Sequence, residues 1–152
     1  MTGIIGKAEI ARLIPHAGAM CLLDSVVGWD SASITCLASS HADADHPLAS
    51  GGQLDCICGI EYAAQAMAVH GGLIAGRRPE AGYLASVRDV TCHAGRLDLS
   101  REDIEVTATL LAADAAGAIY GFILRHGKVT ILEGRAAVVI DAGPRPGGAR
   151  PA

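Results

Sequence analysis

Apolar and polar positions along the chain alternate between a helical pattern and a strand pattern. Residues 7–14 (KAEIARLI) have helical spacing and stop at Pro15, which disfavours helix in the residue before it. The segments 20–30 and 32–39 have the pattern of two strands. The following segment, 41–55, combines Asp and Gly with Ser and Pro, which predicts a loop.

Residues 59–76 (GIEYAAQAMAVHGGLIAG) predict a helix that is apolar on nearly all sides and therefore buried. Gly76 is a residue type favoured just past a helix end, and Pro79 blocks continuation. One carboxylate, Glu61, lies in the first turn. The helix dipole favours an acid there whatever the function, so both a structural and a chemical role stay open.

The rest of the chain has the pattern of four strands joined by short turns. These strands are predicted over 82–93, 104–115, 118–126 and 129–140. Short links imply a mostly antiparallel sheet, and the small residues of the helix would let that sheet curl around it. The elements predict an α+β fold, either a hotdog (a sheet wrapped round one central helix) or a generic sandwich. The domain is expected over 1–140, with a disordered Pro- and Gly-rich tail over 141–152.

Composition and charge exclude several classes of protein. The 152 residues are 51% hydrophobic but contain no apolar run long enough to span a bilayer, and the N-terminus lacks the features of a secretory signal. A soluble cytoplasmic protein without membrane contact is therefore expected. A formal charge of −4 without basic blocks, together with 3% aromatic residues, argues against nucleic-acid binding.

The sequence does not predict a metal site or a cofactor site. Five cysteines, an odd number, argue against a disulfide framework. Cys56 and Cys58 are separated by one residue, which is closer than zinc pairs usually are, so a site formed with His41 and His46 is not expected. The chain also lacks a calcium loop, a serine-hydrolase elbow and a dinucleotide-binding loop.

Two motifs in this sequence resemble the β-hydroxyacyl-acyl-carrier-protein dehydratases. LIPHAGAMCLLDSVVGWD (13–30) is similar to their opening, in which a Leu-Pro-His stretch leads into a Leu-Val-Asp strand. GIEYAAQAMAVHGG (59–72) is similar to the motif of their central helix. The resemblance covers roughly residues 10–140 and is nearest to the dehydratase-like proteins of aryl polyene clusters.

The resemblance implies a dimer of hotdog subunits that share one continuous sheet, as a homodimer or as a heterodimer with another hotdog subunit. It places active sites at the interface, where a histidine of one subunit faces an acid on the helix of the other. The acid carried over is Glu61. The histidine normally lies in a Gly-His-Phe-Pro-Gly loop about fourteen residues earlier; its nearest counterpart is His46-Pro47, fifteen residues before Glu61 and without that loop text, and His41 is a second candidate.

Dehydration of a 3-hydroxyacyl thioester needs a base for the α-proton and an acid for the departing hydroxyl. Histidine titrates near neutral pH and can be the base, and a carboxyl in apolar surroundings can be the acid. Free N–H groups at a helix N-terminus can stabilise charge on the thioester oxygen, and Gly59 would allow the substrate to approach the backbone.

Other polar residues have a functional and a structural interpretation. Gln65 lies on the same helix face as Glu61 and either contacts the substrate or is a satisfied core amide. His16, under the resemblance, lies near the cleft on the substrate side or has a capping role. His41 and His46 could instead be solvated loop residues. His70 lies on the far side of the helix and is expected to be a packing or interface residue.

The sequence predicts a dehydratase that acts on a 3-hydroxyacyl thioester in fatty-acid or polyketide-type synthesis. Its partner would be an acyl carrier protein, whose phosphopantetheine arm carries the substrate, so the enzyme itself needs no cofactor. Two alternatives stay open. One is thioester hydrolysis on the same fold; the other is a non-catalytic subunit that binds acyl chains or completes a partner's interface.

Overall fold

The chain folds as a seven-stranded antiparallel sheet with one long helix against it. The structure, a computed structural model, describes residues 4–14, 18–76 and 82–140. In chain order the elements are β1 (Ile5–Gly6), α1 (Lys7–Leu13), β2 (Ser25–Trp29), β3 (Ser33–Ala38), α2 (Gly59–Ala75), β4 (Gly82–Cys92), β5 (Ile104–Asp114), β6 (Gly117–His126) and β7 (Val129–Ile140). Single turns of 3₁₀ helix occur at Gly18–Met20, Ser40–Ala42 and Cys56–Cys58.

The sheet has the strand order β1-β2-β3-β5-β6-β7-β4, and every neighbouring pair is antiparallel. Alternate residues of β3 are buried, among them Ile34 and Cys36, as expected for a strand with one face on the core. The other side of that core is α2, whose Tyr62 and Ala66 are fully buried. One sheet around one central helix is the hotdog arrangement, so the fold prediction is confirmed over the sandwich alternative.

The observed elements follow the predicted ones except near the N-terminus. The strand β1 was not predicted, because two residues are too short to show a pattern; Ile5 pairs with Val26. The strand expected from residue 20 begins only at Ser25, since a 3₁₀ turn with Gly18 at φ +59° precedes it. The expected tail, 141–152, lies outside the described residues.

Gly76, the residue just past α2, ends the helix as the sequence predicted. Gly76 adopts a left-handed conformation with φ 72° and ψ 16°. Its N–H contacts the carbonyls of Gly72 and Leu73, which would otherwise be unpaired at the helix end. Pro79 lies outside the described residues.

The start of α2 packs directly onto the sheet because Gly59 has no side chain. A Cβ at this position would lie 2.6 Å from Cδ2 of Leu132 and 2.9 Å from Cδ2 of Leu124. Both leucines are fully buried in the core. The structure thus gives a packing reason for this glycine, and the expected approach of a substrate to its backbone stays a prediction.

We expect Gly59→Ala to lower the free energy of unfolding by about 1–3 kcal/mol, because the two leucines must leave their rotamers to admit a methyl group. Urea unfolding of the purified chain measures this loss.

Gly71→Ala is the matched control on the same helix. Nothing lies within 4 Å of a Cβ there, so we expect a gain of about 0.5–1 kcal/mol from helix propensity. Equal effects of the two substitutions would contradict the packing role of Gly59.

Candidate active site

The central helix carries three buried polar side chains, and each has hydrogen-bond partners from another part of the chain. They are Tyr62, Gln65 and His70, none more than 1% exposed. A buried polar group without a partner is destabilising, so these partners decide which segments can pack against α2.

Gln65 holds the segment that leads into β2. Its Oε1 accepts a hydrogen bond from the Leu22 N–H at 2.9 Å, and its Nε2 donates to the Met20 carbonyl at 2.6 Å. The amide is therefore satisfied by the backbone, which fits the structural interpretation of this residue. Its expected contact with a substrate stays a prediction.

His70 joins α2 to the β2–β3 turn and to β6. Its Nε2–H donates to the Asp30 carbonyl at 2.7 Å, so Nδ1 is the acceptor for the Tyr120 hydroxyl, also at 2.7 Å. Both ring nitrogens are used in the core, in agreement with the packing role expected for this residue.

Tyr62 lies at the centre of a directed chain of hydrogen bonds, which we call the Tyr62 relay. Ser40 Oγ donates to the Leu22 carbonyl at 2.9 Å, so it can only accept from the Tyr62 hydroxyl, at 2.8 Å. Tyr62 in turn accepts from Nε2–H of His46 at 2.9 Å. Nδ1 of His46 accepts the Leu48 N–H at 3.0 Å, which requires the proton to be on Nε2.

His41 lies at the start of the same loop, just after β3, and one of its ring nitrogens makes no hydrogen bond. Its Nε2–H donates to the Ser100 carbonyl at 2.9 Å, and its Nδ1 is buried without a hydrogen-bond partner. The His41 ring centroid lies 5.1 Å from that of His126, at the end of β6. Nδ1 of His41 therefore carries a buried lone pair, and the hydrogen bond from Nε2 to Ser100 fixes the orientation of the ring.

Burial keeps both candidate histidines neutral. His41 is 2% exposed and His46 is 6% exposed, so the alternative that they are solvated loop residues is wrong. Desolvation lowers the pKa of His41, and the nearby His126 adds to this effect. Desolvation also lowers the pKa of His46 against the opposing influence of Asp43. A neutral imidazole is the form that can accept a proton.

Two clefts meet at His46. The larger, of about 470 Å³, is lined by Lys7, Gly18, Cys21, Ser40, Asp43, Ala44, Asp45, His46 and Pro47. The smaller, of about 220 Å³, is lined by His41, Ala42, Asp43, Ala44, His46, Ala49, Gly52, Leu54, Asp98 and Arg101. His46 lines both clefts, whereas Pro47 lines only the larger and His41 only the smaller.

The predicted acid is close to this loop in sequence but is not part of either cleft wall. Glu61 is partly buried in the first turn of α2, next to Tyr62, and does not line the two clefts formed by the described residues. His16 lies outside the described residues, so its expected place on the substrate side stays a prediction.

Two residues of this site were missed in the sequence. Tyr62 had a signal, because a phenol in an otherwise aliphatic buried helix needs a hydrogen-bond partner. Ser40 had none, since a serine after a strand is ordinary in a loop.

Metal binding and membrane insertion can be addressed for the described parts of the chain. There, no three His, Cys, Asp or Glu side chains converge as they would around a metal ion. No helix in those parts is both long enough and apolar enough to cross a bilayer.

The wrapped helix and antiparallel sheet define the chain as a hotdog-fold protein. It belongs to the ApeP-like family, described as ApeP dehydratase, whose profile matches residues 8–142. This match confirms the resemblance to dehydratases that the two sequence motifs indicated. No curated protein sequence matches the chain significantly.

Solved structures share the fold at low sequence identity. A chain of the dehydratase heterocomplex ApeI:P from Xenorhabdus doucetiae superposes with a TM-score of 0.77 and 21% identity, over 87% of this chain and 90% of that one. A variant of the HP0420 homologue from Helicobacter felis gives 0.64 and 14%, over 92% and 89%. A hypothetical thioesterase with coenzyme A from Streptococcus pneumoniae gives 0.52 and 8%, over 76% and 84%. Since this fold serves more than one chemistry, the fold alone does not choose between them.

Lowering the pH from about 7.5 to about 5 is expected to destabilise the chain. Burial lowers the pKa of His41, His46 and His70, so below the unfolded value of 6.5 the folded chain binds fewer protons than the unfolded chain. Their contribution is fully present above pH 6.5 and falls below it, by up to about 1.4 kcal/mol per pH unit for each histidine. Urea unfolding at several pH values measures the slope.

His46→Asn should reduce this slope, because one buried neutral imidazole is removed. His93→Gln is the control, since His93 is exposed and its substitution leaves the three buried imidazoles unchanged. An unchanged slope in His46→Asn would show that His46 binds protons equally in both states.

Proposed function

We propose that this chain is a subunit of a hotdog dehydratase that removes water from 3-hydroxyacyl thioesters carried on acyl carrier protein. The observation that carries the proposal is the ApeP dehydratase family match over residues 8–142, which spans the helix with Glu61 and the loop with both neutral histidines. The products of this lyase reaction would be an enoyl thioester and water, in fatty-acid, polyketide or aryl-polyene-type synthesis.

In the proposed reaction a histidine takes the α-proton and Glu61 protonates the departing hydroxyl. His46 would accept the proton on Nδ1, where the substrate must displace the Leu48 N–H. His41 would accept it on Nδ1 without losing a hydrogen bond. Both remain candidates for the base, and Pro47 and Gln65 are proposed to lie near the substrate.

A second hotdog subunit is proposed to complete the site. The family resemblance places acid and base on different subunits, and Glu61 is not among the residues that line the two clefts with the histidines. Among the described strands, β4 pairs only with β7, so its eleven residues leave one long edge available. A partner sheet could continue there by antiparallel pairing. The similar chain from Xenorhabdus doucetiae belongs to a heterocomplex, which supports a heterodimer here.

A non-catalytic subunit is the second candidate function. Both ring nitrogens of His46 are engaged within the protomer, so this histidine has no lone pair ready for a substrate. Such a chain would bind acyl groups or complete the site of an active partner.

We expect Glu61→Gln to lower turnover by about 10²–10⁴-fold, because the amide cannot donate the proton that the hydroxyl needs. The assay supplies a 3-hydroxyacyl thioester on acyl carrier protein, with and without a candidate hotdog partner, and follows the enoyl product by mass spectrometry. His93→Gln is the control for substitution of an exposed polar residue.

The products distinguish the candidate functions. Enoyl thioester indicates dehydration, and released carrier thiol indicates hydrolysis. Enoyl product that depends on the partner but survives Glu61→Gln, His46→Asn and His41→Asn would identify a non-catalytic subunit and refute the assigned roles.

A further inference from the structure

The Tyr62 relay runs in one direction from the cleft to the backbone. The Leu22 carbonyl takes the only proton of Ser40, Ser40 takes the proton of Tyr62, and Tyr62 therefore faces His46 with an oxygen lone pair. Burial raises the pKa of Tyr62 to about 12, so it stays a phenol rather than a phenolate at neutral pH. Each hydrogen bond in the relay therefore has only one possible donor, and the neutral His46 imidazole carries its proton on Nε2.

We propose that Tyr62 is a positioning residue that holds the His46 imidazole in one orientation, with its proton on Nε2, at the wall shared by the two clefts. The inference rests on the proposed function in that His46 is taken to act on the substrate. Its structural basis is independent of that function, because it consists of the hydrogen bonds on both sides of the ring.

If His46 is the base, its ring becomes positively charged when it takes the α-proton, and Tyr62 then faces a charged group. When Nδ1 takes up the α-proton and gives up the Leu48 N–H, the ring becomes an imidazolium whose Nε2–H points at the Tyr62 oxygen, 2.9 Å away. This acceptor stabilises the charged ring and fixes its direction, as a third group orients the base in many enzymes. No proton has to leave Nε2 during this step, so Tyr62 acts through His46 and not on the substrate.

A second buried tyrosine–histidine pair provides a matched control. It joins His70 of α2 to Tyr120 of β6. The Tyr120 hydroxyl bonds His70 at 2.7 Å, and burial raises the pKa of Tyr120 to about 12 as well. Here the tyrosine is the donor, the rings meet edge-on at 81°, and neither residue lines the two clefts. At Tyr62 the tyrosine is the acceptor, and the rings are nearly parallel at 27°. The two substitutions to Phe remove the same atom in the same kind of setting.

The kinetic test compares Tyr62→Phe with Tyr120→Phe in the full chain with its partner. We expect Tyr62→Phe to lower kcat by about tenfold or more with little change in KM. A misoriented His46 ring slows proton transfer but does not weaken substrate binding. Loss of the acceptor lowers the pKa of the His46 base, so the acid limb of the kcat/KM profile should move to lower pH. Tyr120→Phe should leave kcat and the profile unchanged.

Ser40 provides a second route that keeps Tyr62 in place. Ser40→Ala removes the acceptor of the Tyr62 proton and should lower kcat less than Tyr62→Phe, whereas Ser40→Thr keeps a hydroxyl and should restore activity. Wild-type kcat and an unshifted profile in both Tyr62→Phe and Ser40→Ala would overturn the proposal, and so would equal losses in Tyr62→Phe and Tyr120→Phe.

Nitrogen-15 NMR of the histidine rings tests the positioning without any activity. The wild-type chain should show the His46 proton on Nε2 in slow exchange with water, and Tyr62→Phe, but not Tyr120→Phe, should speed that exchange. Identical His46 signals in wild type and Tyr62→Phe would overturn the proposal. If the wild type shows no dehydration with any partner, the proposed function fails, and this spectrum still decides the role of Tyr62.

Discussion

A helix inside a sheet can carry polar side chains only if other segments satisfy them, and this constraint organises the whole molecule. Three such side chains lie along α2: Tyr62, Gln65 and His70. If a segment that bonds one of them were displaced, the side chain would lose a hydrogen-bond partner inside the protein. Each unpaired group would be destabilising by about 1–3 kcal/mol. Most of their partners, from Met20 to His46, come from the part of the chain that precedes the helix.

The candidate site is a consequence of the same constraint. Because Tyr62 needs a partner, the loop after β3 is drawn onto the helix, and His46 is buried where two clefts meet. Burial removes the water that would solvate a charged imidazole and so lowers the pKa of His46, which keeps the ring neutral at pH 7. The position of His46 in the structure thus depends on the packing of Tyr62.

Local patterns in the sequence predicted most of the fold. The buried helix, its end at Gly76 and the tight turn between β6 and β7 were found because each depends on adjacent residues. The two-residue β1 was missed because pairing with Val26 sets it and no pattern of its own does. The motifs also indicated the family correctly, since their order and separation along the chain were preserved.

The interior of the site could not be predicted in the same way. The sequence singled out His41 and His46 but left solvent exposure open, because burial of a loop depends on what it packs against. The partners of Gln65 lie more than forty positions earlier in the chain, and no local spacing reveals such a pair. The direction of the Tyr62 relay depends on the single proton of Ser40, which only the arrangement in space defines.

The bonds of α2 also bear on how the chain reaches its native state. Its polar partners are 16 to 50 positions away, so the bonds that satisfy the helix form only when distant segments of the chain have come together. Loop closure over such separations costs entropy before burial repays it, and chains rich in such non-local contacts fold more slowly than those with local contacts. The loop between β3 and α2 closes the shortest of these separations, from His46 to Tyr62, and the other polar bonds of the helix depend on longer closures.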